Sequence, residues 1–171
     1  MRNAKRLWPI LFFVVALLLL TAGPATAHVI KTPFTGTDVW VEDLDPGTEI
    51  APLDSGFSKV RGAVSRFTLE ASDPRVSGDN KPTVNWNYKL VDPPVYVTGL
   101  MWGTFRITND GGYWKGAWVG YRDKRGYSYI DYVGVGGGGY AGLKLYLHIE
   151  RLNPDPTTVE TVTGYILERG H

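Results

Sequence analysis

Histidines give this cysteine-free sequence its widest range of side-chain chemistry, and there are three of them: His28, His148 and His171. A histidine at a mature N-terminus chelates copper through its amine and imidazole, and a second histidine completes such a site. Ala25-Thr26-Ala27 places a peptidase cleavage signal directly before His28. His28 and His148 are therefore a candidate copper pair, although their surroundings do not resemble secreted copper oxygenases. The alternative is that His28 is simply the residue after the cut.

Acid–base chemistry has three further candidates: Asp131, Arg106 and Glu70. Asp131 shares one face of a strand-like run with Tyr129. If that face lines an interior, desolvation would tune the carboxyl to act as a general acid or base. If it faces outward, Asp131 is an ordinary surface acid, as most aspartates are. Arg106 and Glu70 have the same two interpretations, the second being a surface ion pair that contributes little to stability.

The sequence contains no motif for nucleophilic catalysis and none for phosphate binding. The sequence has no Gly-x-Ser-x-Gly elbow, and His148 lies in an alternating run where its side chain is predicted to face solvent. The glycine run at 136–139 is followed by neither Lys-Ser/Thr nor a helical pattern. It therefore predicts a turn that closes a barrel and not a phosphate loop.

Tryptophans that alternate with glycines point to a cavity. Trp114, Gly116, Trp118 and Gly120 fall on one side of a strand-like run, and a ring beside a missing side chain leaves a gap suited to a tight bend or a ligand. We expect Trp114 and Trp118 to point inward. The candidate ligand-binding residues are Trp114, Trp118, Trp102, Gly116 and Tyr129. The alternative role for these rings is core packing and an oligomer surface.

Alternation at a period of two runs through most of the sequence and predicts strands, with no convincing helix. Glycine- and proline-rich turns separate eight such runs, at 38–43, 57–71, 83–91, 98–108, 113–122, 127–135, 142–151 and 159–168. Short antiparallel strands with hairpin spacing form sandwiches or barrels, and closure removes exposed edges. We predict an all-β fold, an eight-stranded antiparallel closed barrel of the calycin-like kind. The expected divisions are a signal peptide at 1–27, an irregular lead-in with one short strand at 28–56, and the barrel domain at 57–171.

The N-terminal segment predicts export. A basic head precedes an apolar run at 7–20 that is shorter than the ~20 residues of a membrane-spanning helix, which disfavours a retained anchor. Cleavage after Ala27 would give a secreted or extracytoplasmic protein without a stable membrane anchor. It would also leave 15 Lys and Arg against 17 Asp and Glu, with no basic stripe, so nucleic acid is not an expected partner. Without cysteine the protein has no disulfides or thiolate chemistry, and we expect no cofactor.

Six motifs in the order found here resemble the allene oxide cyclase-like barrel superfamily, which includes the plant dirigent proteins and small secreted bacterial relatives. The motifs are Asp73-Pro-Arg-Val-Ser-Gly78, Trp102-Gly-Thr-Phe-Arg106, Asn109-Asp-Gly-Gly112, Trp114-x-Gly-x-Trp-x-Gly120, Gly138-Gly-Tyr-Ala-Gly-Leu143 and Thr163-Gly-Tyr-Ile166. The resemblance covers about 62–168 and implies a barrel with an axial cavity, often in a homo-oligomer. Enzymes of the superfamily cyclise or couple reactive small molecules by holding them in one conformation. No catalytic residue of the family can be placed on a position of this sequence.

These observations together predict an exported single-domain barrel that binds a small apolar molecule. In its enzymatic form the protein would be a cyclase or isomerase that acts by conformational confinement. The alternatives are a carrier with the same cavity and no turnover, and a structural or interaction barrel whose interior is filled. A homo-oligomer is compatible with each.

Overall fold

Strands make up most of the chain that the structure describes. The structure is a computed structural model that describes residues 28–51, 56–91, 96–155 and 157–170. Within these ranges there is no helix, and so none long and apolar enough to cross a membrane. The strands are β1 (Val29–Asp45), β2 (Thr48–Ala51), β3 (Phe57–Ala71), β4 (Gly78–Val91), β5 (Tyr96–Asn109), β6 (Gly112–Arg122), β7 (Ser128–Gly138), β8 (Lys144–Arg151) and β9 (Glu160–Arg169).

All strand pairs are antiparallel, and the sheet closes on itself. The order is β1-β9-β8-β7-β6-β5-β4-β3-β2, and β1 also pairs with β3. Eight strands therefore form a ring, and β2 continues alongside the first half of β3 where β1 has ended. The predicted all-β, eight-stranded antiparallel barrel is confirmed.

The N-terminal strand of the barrel is longer than the sequence suggested. Residues 28–37 were expected to be irregular, with a short strand at 38–43, but β1 runs without a break for 17 residues. Pro33 and Gly36 indicate a break locally, yet both are paired with β9. A Cβ on Gly36 would collide with the Glu70 carbonyl of β3, so glycine permits the close approach that closes the ring. The predicted signal peptide at 1–27 lies outside the described residues.

The glycines of β6 and β7 accommodate a ring from β5. Gly116 and Gly134 are paired across the two strands, and Phe105 lies against both. A Cβ added to Gly116 would come within 2.9 Å of the Phe105 ring, and one added to Gly134 within 2.6 Å. The glycines do leave space beside the tryptophans, as predicted. In the fold, however, the Phe105 ring fills the space next to Gly116.

Trp114 helps to seal one end of the barrel. Its side chain is fully buried and stacks on Tyr140, with ring centroids 5.2 Å apart. Its Nε1 donates a hydrogen bond of 2.7 Å to the carbonyl of Arg75 in the β3–β4 turn. Val76, from the same turn, is also fully buried, so this end has a packed floor.

Asn109 ties the three connections of that floor together. Its Nδ2 donates to the carbonyl of Ser77 at 2.7 Å, and its Oδ1 accepts a hydrogen bond of 2.6 Å from the Tyr140 hydroxyl. These residues belong to three of the motifs on which the family resemblance rests. These three motifs therefore meet at the closed end of the barrel.

We expect Gly116→Val to destabilise the protein by about 1–3 kcal/mol or more, because the new side chain would overpack Phe105 and collide with the Val133 carbonyl. Urea unfolding followed by circular dichroism measures the effect. The control is Ala117→Val at the next position of β6, where the side chain is exposed and the expected change is within about 0.5 kcal/mol. Equal unfolding midpoints for the two variants would contradict the packing described for Gly116.

Candidate functional site

A cavity of about 310 Å³ occupies the barrel interior towards the end opposite the Trp114 floor. Its walls are mainly aromatic and aliphatic, with Val84, Trp86, Tyr88, Met101, Trp118 and Tyr132 among the lining residues. Asp43 and Thr157 also line it and are exposed, so they mark its mouth. Such a shape suits a small molecule that is itself largely apolar.

The two tryptophans predicted to point inward are both buried, but they have different surroundings. Trp118 is 3% exposed, lines the cavity and stacks on Tyr132 with ring centroids 5.9 Å apart. Its Nε1 donates to the carbonyl of Thr104 at 3.2 Å, which fixes the plane of the indole. Trp114 and Gly116 do not line this cavity, because the first packs in the floor and the second lies against Phe105.

Trp102 and Tyr129, the other predicted ligand-binding residues, lie on the outer surface of the barrel. The guanidinium of Arg61 sits 4.8 Å from the ring centroid of Trp102. The hydroxyl of Tyr129 accepts a hydrogen bond of 3.4 Å from the exposed Arg125. The structure therefore does not bring either ring to the cavity.

The outer wall also holds Asp131 and His148. Asp131 is exposed, and its Oδ1 lies 2.7 Å from Nδ1 of His148, while Oε1 of Glu150 lies 3.4 Å from the Nε2. Partial burial lowers the pKa of His148, but the hydrogen bonds to Asp131 and Glu150 outweigh it and raise the pKa above its ordinary value. The outward strand face makes Asp131 a partner of His148 and not an interior acid.

The remaining predicted candidates are also at the surface. Arg106 is exposed on β5, with its guanidinium 3.8 Å from the Tyr113 ring centroid, and Glu70 is exposed on β3. His28 is exposed, and its carbonyl accepts a hydrogen bond from the Gly170 amide. In the described part of the chain, no group of three or more His, Asp or Glu is arranged to hold a metal ion.

Polar side chains that were not predicted from the sequence lie next to one another on the inner wall of the barrel. They follow the strand register: Arg122 pairs with Ser128, Ser128 with Arg151, and Glu160 with Asp38. An ion pair of 3.4 Å joins Arg151 to Glu160 and completes the series from β6 to β1. Adjacent strands thus present five polar groups that face one another inside an otherwise apolar barrel.

Asp38 lies at the inner end of this series, where it is 1% exposed. Its Oδ2 accepts a hydrogen bond of 2.8 Å from Nδ2 of Asn80, which is equally buried. Burial raises the pKa of Asp38 to about 8; the nearby Glu160 carboxyl adds to this, and the Asn80 hydrogen bond only partly offsets it. Asp38 is therefore mostly protonated at neutral pH and can donate a hydrogen bond.

Two further groups next to Asp38 line the cavity, Glu160 and Tyr132. Burial raises the pKa of Glu160, although the charges of Arg151 and Arg122 oppose the shift. Burial, followed by the Asp38 and Glu160 carboxyls, raises the pKa of Tyr132 well above its ordinary value. The cavity therefore contains a phenol that stays protonated and a carboxyl whose pKa is raised.

A weak signal for some of these residues is present in the sequence. Arg151 continues the apolar alternation of Leu145, Leu147 and Ile149, so the pattern places its charge on the inward face of β8. Glu160 likewise begins the alternation that continues with Val162 on β9. A charge in phase with a buried strand face is a candidate for an interior site, because an isolated buried charge is costly.

No protein-family model matches this chain, and no curated protein does either. One solved structure, described as a nonspecific heme-binding cyclase that catalyses a 4 + 2 cycloaddition during neoabyssomicin biosynthesis, aligns with 99% of this chain and 81% of its own. The sequence identity is 15% and the TM-score is 0.35. Because both values are low, the chemistry of the site is inferred from the residues of this chain alone.

We expect Asp38→Asn to become more stable relative to the wild type as the pH rises from about 4 to about 8. The raised pKa means that folded Asp38 holds a proton that the unfolded chain has released, so wild-type stability falls across this window. An asparagine at this position does not titrate, so the variant does not lose stability in this way as the pH rises. Urea unfolding at several pH values measures the difference, with Asp110→Asn in an exposed hairpin as the control. A difference between Asp38→Asn and the wild type that is independent of pH would show that Asp38 is ionised in the fold.

Proposed function

We propose that this protein binds one small, largely apolar molecule inside the barrel. The observation that carries the proposal is the cavity of about 310 Å³ whose aromatic walls include Trp118 and Tyr132. This volume is at the lower end of the ~300–1,000 Å³ typical of small-molecule sites, and pockets of that kind are mostly apolar with few polar groups. Burial of a ligand's apolar surface against these rings would supply most of the affinity.

The polar groups of the cavity would orient the ligand. The Tyr132 hydroxyl is a donor, Glu160 can accept or donate, and Arg122 and Arg151 are donors only. These groups are concentrated on adjacent strands, while Val84, on β4, belongs to an apolar wall. A ligand with its polar atoms at one end would satisfy both parts of the cavity.

A second candidate function is catalysis, namely a cofactor-free cyclisation or isomerisation guided by confinement. It is favoured by the cross-strand pair of Asp38 and Glu160, two carboxyls whose pKa values are both raised. Glu160 lines the cavity and could exchange a proton with a bound substrate, and confinement would supply the entropic part of the rate. A carrier without turnover would use the same cavity. A purely structural barrel is less well supported, because part of the interior is left unfilled by side chains.

The finer assignments belong to this proposal as well. Membership of the allene oxide cyclase-like superfamily rests on the order of the six motifs. Export, with cleavage after Ala27, rests on the basic head and apolar run of residues 1–27. A homo-oligomer would be compatible with the apolar side chains exposed on the outer wall, such as Leu100, Val119 and Val133.

We expect Val84→Phe to reduce the affinity for a neutral aromatic probe, 2-naphthamide, by tenfold or more, because the larger ring would occupy the cavity. Binding is measured by the change in tryptophan fluorescence, to which Trp86 and Trp118 in the cavity wall should contribute. The matched control is Val119→Phe on the outer face of β6, where the valine is exposed. Unchanged affinity in Val84→Phe, or an equal loss in both variants, would place the probe elsewhere and contradict the proposal.

A further inference from the structure

Two arginines meet at the mouth of the cavity with one hydroxyl between them. Arg122 and Arg151 are the last residues of β6 and β8, and Ser128 lies on β7 directly between them. The Ser128 Oγ accepts hydrogen bonds from Arg122 Nε at 3.2 Å and from Arg151 Nη2 at 3.3 Å. The fold therefore holds two guanidinium groups close together on one shared acceptor, although like charges repel.

Among the described residues, Glu160 is the one carboxyl that forms an ion pair with either arginine. The contact of Arg151 with Glu160, at 3.4 Å, is longer than the ~2.7–2.9 Å of a charge-assisted hydrogen bond. Arg151 is 7% exposed, and its Nε has no hydrogen-bond partner among the described residues. Across those same residues, Arg122 makes no ion pair; its guanidinium lies 5.3 Å from the Tyr88 ring centroid.

The other interior carboxyl does not balance the two charges. Asp38 is mostly protonated at neutral pH because its pKa is raised to about 8. Burial and the charge of Arg122 lower the pKa of Arg151, but a guanidinium remains cationic at every physiological pH. The inner wall therefore has two cations, and among the described residues Glu160 is the one carboxyl that forms an ion pair with them. The exposed Asp155 also interacts with Arg151, and Asp43 lies at the mouth of the cavity. Two guanidinium groups that share one neutral acceptor repel each other, and an anionic ligand in the cavity would offset that repulsion.

We infer that the molecule bound in the cavity carries a carboxylate, which Arg122 and Arg151 hold at the mouth while the apolar body packs against Trp118 and Tyr132. This inference rests on the binding function proposed above and specifies its ligand class. The planar guanidinium fork matches both oxygens of a carboxylate. Both arginines are at strand ends, at the same end of the barrel as the exposed Thr157, so the head group lies near solvent and the apolar body lies deeper.

The test uses two probes of the same shape that differ in charge, 2-naphthoate and 2-naphthamide, titrated into the full chain and followed by tryptophan fluorescence. Hydrogen bonds to charged groups are stronger than neutral ones, so we expect the wild type to bind 2-naphthoate about tenfold or more tightly. Added salt should weaken this preference only slightly, because buried charges are poorly screened.

Arg122→Gln and Arg151→Gln should each reduce the preference for the acid towards unity, because the affinity for the acid should fall by much more than the affinity for the amide. Arg122 is only half-buried, so its substitution is the milder test of the fold, and binding of the amide verifies that the cavity is intact. The control is Arg106→Gln, which removes an exposed arginine from the outer wall and should leave the preference unchanged.

The outcomes separate this inference from the binding function. Equal affinity of the wild type for both probes, or a preference that survives both interior substitutions, would overturn the carboxylate assignment and leave the apolar cavity as a binding site. Failure of both probes to bind the wild type would overturn the binding function and the assignment together. Tighter binding of the acid that is lost in both interior variants and kept in Arg106→Gln would support the inference.

Discussion

The pairing of β1 with β3 is the interaction on which the rest of this structure depends. Without it, the sheet would be open and would expose two edges, which are sites of aggregation. With it, each strand of the ring has a hydrogen-bonded neighbour on both sides. Closure of eight strands also fixes the interior at a width that side chains or one small ligand can fill. The size of the cavity therefore follows from the strand count and from the side chains inside.

Along its length, the interior of the barrel is divided between a part filled by side chains and a part left open as a cavity. At one end Trp114, Tyr140 and the β3–β4 turn form a packed floor, and Phe105 fills the space above Gly116 and Gly134. At the other end the side chains leave a cavity of about 310 Å³, and charged groups from β6 to β1 lie in or beside it. Buried charges are costly, because the free energy of removing them from water often exceeds what their ion pairs regain, and packed apolar side chains avoid that cost. This division is the physical basis for proposing a ligand at the polar end.

The sequence predicted the ring of eight strands and most of its borders well. The run at 113–122, for instance, became β6 at Gly112–Arg122, because strict alternation and hairpin turns are local signals. The first nine residues of β1, 29–37, were missed, since Pro33 and Gly36 suggest a break that pairing with β9 overrides. Local propensity does not report a partner that is more than 120 residues away in the chain.

The site was predictable only in part, for a related reason. Trp118 was correctly expected to point inward, because a tryptophan in phase with glycines indicates the inner face of a strand. Asp38, Arg151 and Glu160 come from three different strands, and although alternation places Arg151 and Glu160 on inward faces, no single strand shows that the three side chains meet. They form a group only through the register between β8, β9 and β1. That register depends on barrel stagger, which no local pattern contains.

A crystal structure of the protein with 6-bromo-2-naphthoate would test the central claim most directly, because bromine gives an anomalous signal that locates the ligand independently of its shape. The account predicts one strong peak inside the barrel, in van der Waals contact with the ring of Trp118, with the carboxylate towards Arg122 and Arg151. A peak confined to the outer wall, or an unoccupied interior at saturating ligand, would contradict it.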